Sequence, residues 1–158
     1  MDDIWPIIRL ATESDVQPAF KLMSDLGYPG LSLPHFVKAY QAVLEHPAML
    51  LIVAEDKNQE VIGLASMTNR PQLRLTARLV TIDELVVADY ARGRGVGQKI
   101  LKAAEAMARK LGARRLELET NRARESYRRG FYVKNGFTEA DSAVMRIDYD
   151  LPEDSWWL

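Results

Sequence analysis

The stretch Ile82-Asp83-Glu84-Leu85-Val86-Val87-Ala88-Asp89-Tyr90-Ala91-Arg92-Gly93-Arg94-Gly95-Val96-Gly97-Gln98-Lys99-Ile100 decides how this chain reads. An apolar strand with two adjacent carboxylates runs into a loop with glycine at alternate positions, and a helix reaching Leu111 starts inside that loop. Glycine lets the backbone come close to a ligand, and the first N–H groups of a helix have no intrahelical acceptor. The helix dipole adds roughly half a positive charge at that end. Such a loop suits a phosphate. Two familiar phosphate loops are excluded. A Walker A loop ends in Gly-Lys-Ser/Thr, which Gly97-Gln98-Lys99-Ile100 lacks in both spacing and hydroxyl, and a dinucleotide fingerprint needs G-x-G-x-x-G where Gly93, Gly95 and Gly97 give G-x-G-x-G.

Outward from this stretch, the totals narrow the class. The 158 residues fit one domain, read as residues 1–158, long enough to bury roughly two-thirds of its unfolded surface. With 47% hydrophobic and 27% charged residues the chain is neither disordered nor fibrous. A net charge of -1 argues against a dedicated nucleic-acid binder. Charge is uneven, however. Residues 1–60 hold nine acidic and four basic side chains, and 109–134 hold nine basic and three acidic. Both segments read either as solvated surface or as a cationic substrate's and an anionic cofactor's surroundings. Cysteine is absent, so there is no thiolate metal site and no cysteine-linked acyl intermediate. His35 and His46 form no metal constellation, and no metal is expected. No apolar run reaches membrane-spanning length and Met1-Asp2-Asp3 does not resemble a signal peptide, which points to the cytoplasm with no membrane partner.

Along the chain, Ile7 to Leu10 predicts a strand, and Thr12-Glu13-Ser14-Asp15 a capped helix start ending at Gly27. Ser32 and Pro34 open a second helix that Pro47 closes. Met49–Ala54 and Val61–Met67 flank a polar turn as a hairpin. Residues 70–78 read as a basic loop, and Leu79 to Val87 as a strand buried on both faces, where Asp83 and Glu84 are costly unless used or paired. The long helix should present Ile100, Ala104, Met107 and Leu111 on one face and stop at Gly112. Arg115 to Thr120 predicts a strand, Arg124 to Asn135 a helix with Gly130 as a weak interior point, and Ala143 to Tyr149 a last strand. The apolar tail Trp156-Trp157-Leu158 should cover the domain or a second subunit, so a homodimer is possible.

Arg92, Gly95 and Gly97 fit R-x-x-G-x-G directly after Glu84-Leu85-Val86-Val87, Glu119-Thr120-Asn121 ends the next strand, and Phe131-Tyr132-Val133-Lys134-Asn135-Gly136-Phe137 fits F-Y-x-x-x-G-F. On these motifs the chain, from about Ile7 to Asp150, resembles the GNAT (Gcn5-related) N-acetyltransferases. Asp89 stands where that family often has proline, and Tyr127 and Gly130 fall in unusual slots. The resemblance implies an α/β (α+β) domain: a mixed, mostly antiparallel twisted sheet with about four helices, whose parallel strands splay at a cofactor cleft. It further implies direct transfer of acetyl from acetyl-CoA to an amine in a ternary complex. The N–H groups of Arg92, Gly93, Arg94, Gly95, Val96, Gly97 and Gln98 would hold the pyrophosphate. A bulge within Glu84–Val87 would expose the backbone of Leu85, Val86 and Val87 to the pantetheine, and Asn121 would face the cofactor. Glu84, acting through water, is the candidate base, with Asp83 the runner-up, and Tyr132 is the candidate acid. The motifs look like those of small-molecule enzymes, so a small amine is the expected acceptor. A protein lysine or N-terminus, or a non-catalytic acyl-CoA-binding module, are the alternatives.

Overall fold

The structure is a computed structural model and describes residues 5–27 and 30–150. Five strands form one sheet in chain order: β1 (Ile7–Leu10), β2 (Met49–Glu55), β3 (Val61–Gln72), β4 (Ala77–Val87) and β5 (Ala113–Leu118). Every pairing is antiparallel except β4 with β5, which is parallel and has helix α3 (Val96–Lys110) as its crossover. Helices α1 (Val16–Asp25) and α2 (Leu33–Glu45) lie between β1 and β2 in sequence. All residues from Ile62 to Met67 are buried although alternate side chains leave opposite faces, so both faces of the sheet are covered. This is the mixed, mostly antiparallel architecture expected.

Local chemistry explains most boundaries. Asp15 closes the capping box with Thr12 and is held by Arg9, whose guanidinium donates at 2.8 and 2.9 Å to Asp15 and at 2.7 Å to Glu55. One arginine therefore ties β1, the start of α1 and β2, and part of the acidic excess before residue 60 is structural. In the β2–β3 turn, Asp56 Oδ1 accepts the N–H groups of Asn58 and Glu60. Residues 70–78 are mostly strand rather than loop. β3 continues through Pro71 to Gln72, and only 73–76 reverse the chain, with Thr76 at φ 50°. Pro71 is tolerated because β2 starts at Met49, opposite Thr68, leaving that side of β3 an edge.

The buried stripe of α3 is Val96, Ile100, Leu101, Ala104 and Ala108; Met107 is half-buried and Leu111 exposed, a rotation from the expected face. Beneath it Gly63 permits a close approach: a Cβ there would stand 2.8 Å from Ile100 Cδ1 and 3.2 Å from Val86 O. The expected helix over 124–135 is two turns, α4 (Glu125–Arg128) and α5 (Phe131–Lys134), because Gly130 adopts φ 71° between them. The expected strand over 143–149 is not formed. Alternation alone makes no strand without a ladder partner, and here the segment is exposed outside the sheet. The Trp156-Trp157-Leu158 tail lies outside the described residues. No described helix is long and apolar enough to cross a membrane.

Candidate active site

The parallel strands part where the sequence carries its two carboxylates. Pairing of β4 with β5 ends at Ile82 opposite Leu118, while β4 stays paired to β3 as far as Val87 opposite Gly63. Among the described residues, the backbone edge of Asp83, Glu84, Leu85, Val86 and Val87 that faces away from β3 has no strand partner. Glu84 is opposite Ser66 and Ile82 opposite Met67, so Asp83 is the extra residue of a bulge. The bulge thus falls one residue before the expected Glu84–Val87.

Beyond β4 the chain turns through Asp89–Ala91 into the glycine loop. Gly93 and Gly95 adopt φ of 73° and 82°, and Gly95 is the N-cap of α3. The first bond of α3 runs from Lys99 N–H to Gly95 O at 3.1 Å, so the N–H groups of Val96, Gly97 and Gln98 have no intrahelical acceptor. A Cβ on Gly93 or Gly95 would meet nothing within 4 Å, which leaves open space over the loop, and no carboxylate occupies the first turn of α3. These features fit a phosphate group. The Arg92 side chain is engaged within the protein: its Nε donates to Val87 O at 3.1 Å and Nη1 pairs with Asp89 at 2.7 Å. The guanidinium of Arg94 lies over the Trp5 ring, 4.4 Å from its centroid. The backbone N–H groups of Val96, Gly97 and Gln98 are therefore the donors best placed for an anion.

The carboxylates differ. Asp83 is exposed and accepts from the Thr68 and Thr81 hydroxyls at 2.6 and 3.2 Å. Glu84 is largely removed from water, and burial first, then the Asp83 charge, pushes its pKa up. Its ladder partner Ser66 shares its face of the sheet and is buried, and among the described residues its Oγ has no hydrogen-bond partner. Sequence reasoning named neither Ser66 nor Thr68. Their signal is the β3–β4 register, which is not readable before the bulge is placed.

Tyr132 stands half-buried on α5, edge-on to Phe131 and Phe137 with centroids 5.1 and 6.2 Å away. Phe131 meets the start of α3, since a Cβ on Gly97 would be 3.0 Å from its ring. Thus α5 is positioned against the glycine loop. Asn121 spends its side-chain oxygen on Ala123 N–H at 2.8 Å, leaving its NH2 for a ligand. The Tyr127 hydroxyl donates to Glu139 at 2.7 Å, and Arg122 pairs with the same carboxylate at 2.6 Å. An open cleft of about 1820 Å³ includes Asp83, Glu119, Tyr132 and Asn135 in its wall; Glu84 and the glycine loop lie outside that wall. Among the described residues, no group of three or more His, Cys, Asp or Glu could hold a metal.

A sheet parting at a bulge, next to a helix start with N–H groups that lack intrahelical acceptors, defines an α/β protein whose geometry suits an extended, phosphate-bearing ligand. The chain belongs to the GNAT family: the model of the acetyltransferase (GNAT) family matches residues 7–137. It is 31% identical over 141 residues to the aminoalkylphosphonate N-acetyltransferase of Salmonella typhimurium, covering 88% of this chain and 90% of that one. A structure titled a transcriptional regulator from Bacillus halodurans is 26% identical, with a TM-score of 0.81 and coverage of 91% and 99%. Glucosamine-6-phosphate N-acetyltransferase from Arabidopsis thaliana shares the fold at 20% identity, with a TM-score of 0.75 and coverage of 90% and 97%. The protein is an N-acetyltransferase of this family.

Proposed function

We propose that the chain acts in the cytoplasm on a small-molecule primary amine, with acetyl-CoA as acetyl donor, in a ternary complex. The observation that carries this reading is the parting of β4 from β5 after Ile82, with Glu84 just past it and the glycine loop at the end of the same strand. The N–H groups of Val96, Gly97 and Gln98 bind the pyrophosphate, with Gly93 and Gly95 giving it room. The backbone edge of Leu85, Val86 and Val87 that pairs with no strand takes the pantetheine, with Val87 O already held by Arg92, and a backbone N–H there polarises the acetyl carbonyl. Acetyl-CoA supplies the activated acetyl group and a thiol leaving group. Asn121 offers its NH2 to the cofactor.

An alkyl ammonium has a pKa near 10, so the acceptor needs a base. Glu84 removes that proton through a water that the unpartnered Ser66 hydroxyl helps to hold. Its raised pKa makes it a stronger base than an exposed carboxylate. Asp83 is the weaker candidate, because two hydroxyls already satisfy its oxygens. Tyr132 gives its phenol proton to the departing sulfur. The name of the Salmonella relative supports aminoalkylphosphonates as the first acceptors to try. The test is thiol release from acetyl-CoA against aminoalkylphosphonates, aminoglycosides, simple amines and lysine peptides. Release with one small-amine class is expected. Release with peptides alone, or CoA binding without turnover on any acceptor, would overturn the reading.

A further inference from the structure

The sheet face that carries Glu84 opens, beyond Met67, into a floor of polar and charged side chains. Directly paired residues share a face, as do alternate residues of one strand. The register therefore sets rows across that face. Ser66 stands opposite Glu84; next come Thr68, Thr81 and Glu117; then Arg70, Leu79 and Arg115. Asp83, the extra residue of the bulge, reaches the Thr68 row, where the Thr68 and Thr81 hydroxyls donate to its two oxygens. That row is acidic and the next is basic. Leu79 is buried, so Arg70 and Arg115 are what the basic row exposes. Arg70, Thr81, Asp83, Arg115, Glu117 and the candidate acid Tyr132 share the wall of one open cleft.

Ion pairing within the fold leaves most of this gradient unused. Among the described residues, Arg70 is exposed and its guanidinium has no partner, and Arg115 has only a 4.0 Å contact with Glu117. Each Asp83 oxygen accepts one hydroxyl, which fixes the carboxylate and leaves further lone pairs open. A carboxylate held in this way is a poor base but a well-placed counter-charge. At the head of the floor, Ser66 is 4% exposed and keeps an Oγ without a partner among the described residues. A buried polar atom of this kind is met by a ligand or a water.

We infer that the acceptor is a short zwitterion, with its ammonium on the Asp83 row beside Glu84 and its anionic group held by Arg70, Arg115 adding charge. The inference rests on the reading of the chain as a small-amine acetyltransferase, and it names the kind of amine served. Rows two residues apart lie about 7 Å from one another, a span that suits two or three carbons between amine and anion. Guanidinium donors match the oxygens of a phosphonate or a carboxylate. Other amines fit worse. A diamine would bring its second cation to the arginines, and a neutral amine would leave them unmatched. The order of the rows also sets direction, because repulsion by Arg70 keeps the ammonium at the end where Glu84 stands.

Thiol release from acetyl-CoA tests this with primary amines of one length that end in a phosphonate, a carboxylate, a hydroxyl or a second amine. The two anionic acceptors should exceed the other two by at least about tenfold in kcat/KM. In Arg70→Gln that preference should fall by at least about tenfold, through KM rather than kcat, and Arg70→Lys should recover part of it. Thermal melts of both variants should match the parent, because Arg70 is exposed. A merely structural effect would lower all four acceptors together. Equal rates for the four, a preference for the hydroxyl or the diamine, or a preference that survives in Arg70→Gln would overturn the inference and leave the small-amine reading in place. No release with any amine would overturn that reading and this inference with it.

Discussion

Glu84 is held where its charge is costly. Burial and the neighbouring Asp83 raise its pKa, so folding costs the ionised form more than the protonated one. Its contribution to stability is complete below the ordinary carboxylate range and is lost as pH rises through the raised value. Glu84→Gln keeps the neutral form at every pH. Its melting temperature should exceed that of the parent at neutral pH, with the gain vanishing near about pH 4. Turnover should fall about 100-fold at neutral pH and recover partly at high pH, where more of the amine is free. A silent Glu84→Gln beside a damaging Asp83→Asn would transfer the role of base to Asp83. Tyr132→Phe removes one oxygen from a ring packed between Phe131 and Phe137, so fold and CoA affinity should survive. A turnover loss of between about 10-fold and 100-fold is expected, and equal turnover would reject the acid role. At this scale the sequence was informative about types and poor about surroundings. Glu84 and Tyr132 stood out by motif, while Ser66 is an ordinary serine until the ladder sets it across from Glu84.

Among elements, the start of α3 and the clasp around Arg9 lend themselves to measurement. Gly95 is the N-cap of α3 at φ 82°, a conformation that costs an L side chain about 1–2 kcal/mol. Gly95→Val should lower the melting temperature modestly and weaken CoA binding at least about tenfold, or ~1.4 kcal/mol. Calorimetry giving parental affinity in a folded variant would remove the loop from the cofactor site. At the other end of the sheet, hydrogen bonding from Arg9 is the largest influence holding the Asp15 carboxyl below its ordinary range. That stabilisation is present above the unfolded value and is lost as pH falls through the depressed one. Asp15→Asn should therefore melt earlier than the parent at neutral pH, with the difference narrowing in acid below about pH 4. Thermal melts of both proteins across that range check the sign. Strands and long helices were legible because their apolar periods are long. The 124–135 segment reads as one helix as long as Gly130 counts only as a propensity penalty, whereas its left-handed backbone ends one helical turn and begins another.

For the whole molecule, cofactor binding and folding are linked. A ligand at a hundred times its dissociation constant stabilises the folded state by about 2.7 kcal/mol. For a chain of this length that corresponds to a rise of about 5–11 °C in melting temperature. Such a rise with acetyl-CoA, and none with acetate, is expected from scanning calorimetry; no rise at saturating acetyl-CoA would contradict the proposed donor. The order of elements up to β5 could be read from the sequence because each strand or helix owes its pattern to one buried core. The 143–149 segment has the pattern without the place: it alternates as a strand does but lies exposed outside the sheet.

Gly63 gives the molecule a fixed gauge. A methyl group there would have to displace the end of Ile100 and press on the carbonyl of Val86, in the strand that carries Glu84. The height of α3 over the sheet, and with it the reach from its leading N–H groups to the end of β4, is set by a hydrogen atom. Substitutions on the outer face of α3 can accumulate without disturbing that reach. At Gly63 even a methyl group has to be taken up by the end of Ile100 and by the strand that carries Glu84, so this position tolerates less than the outer face of α3 does.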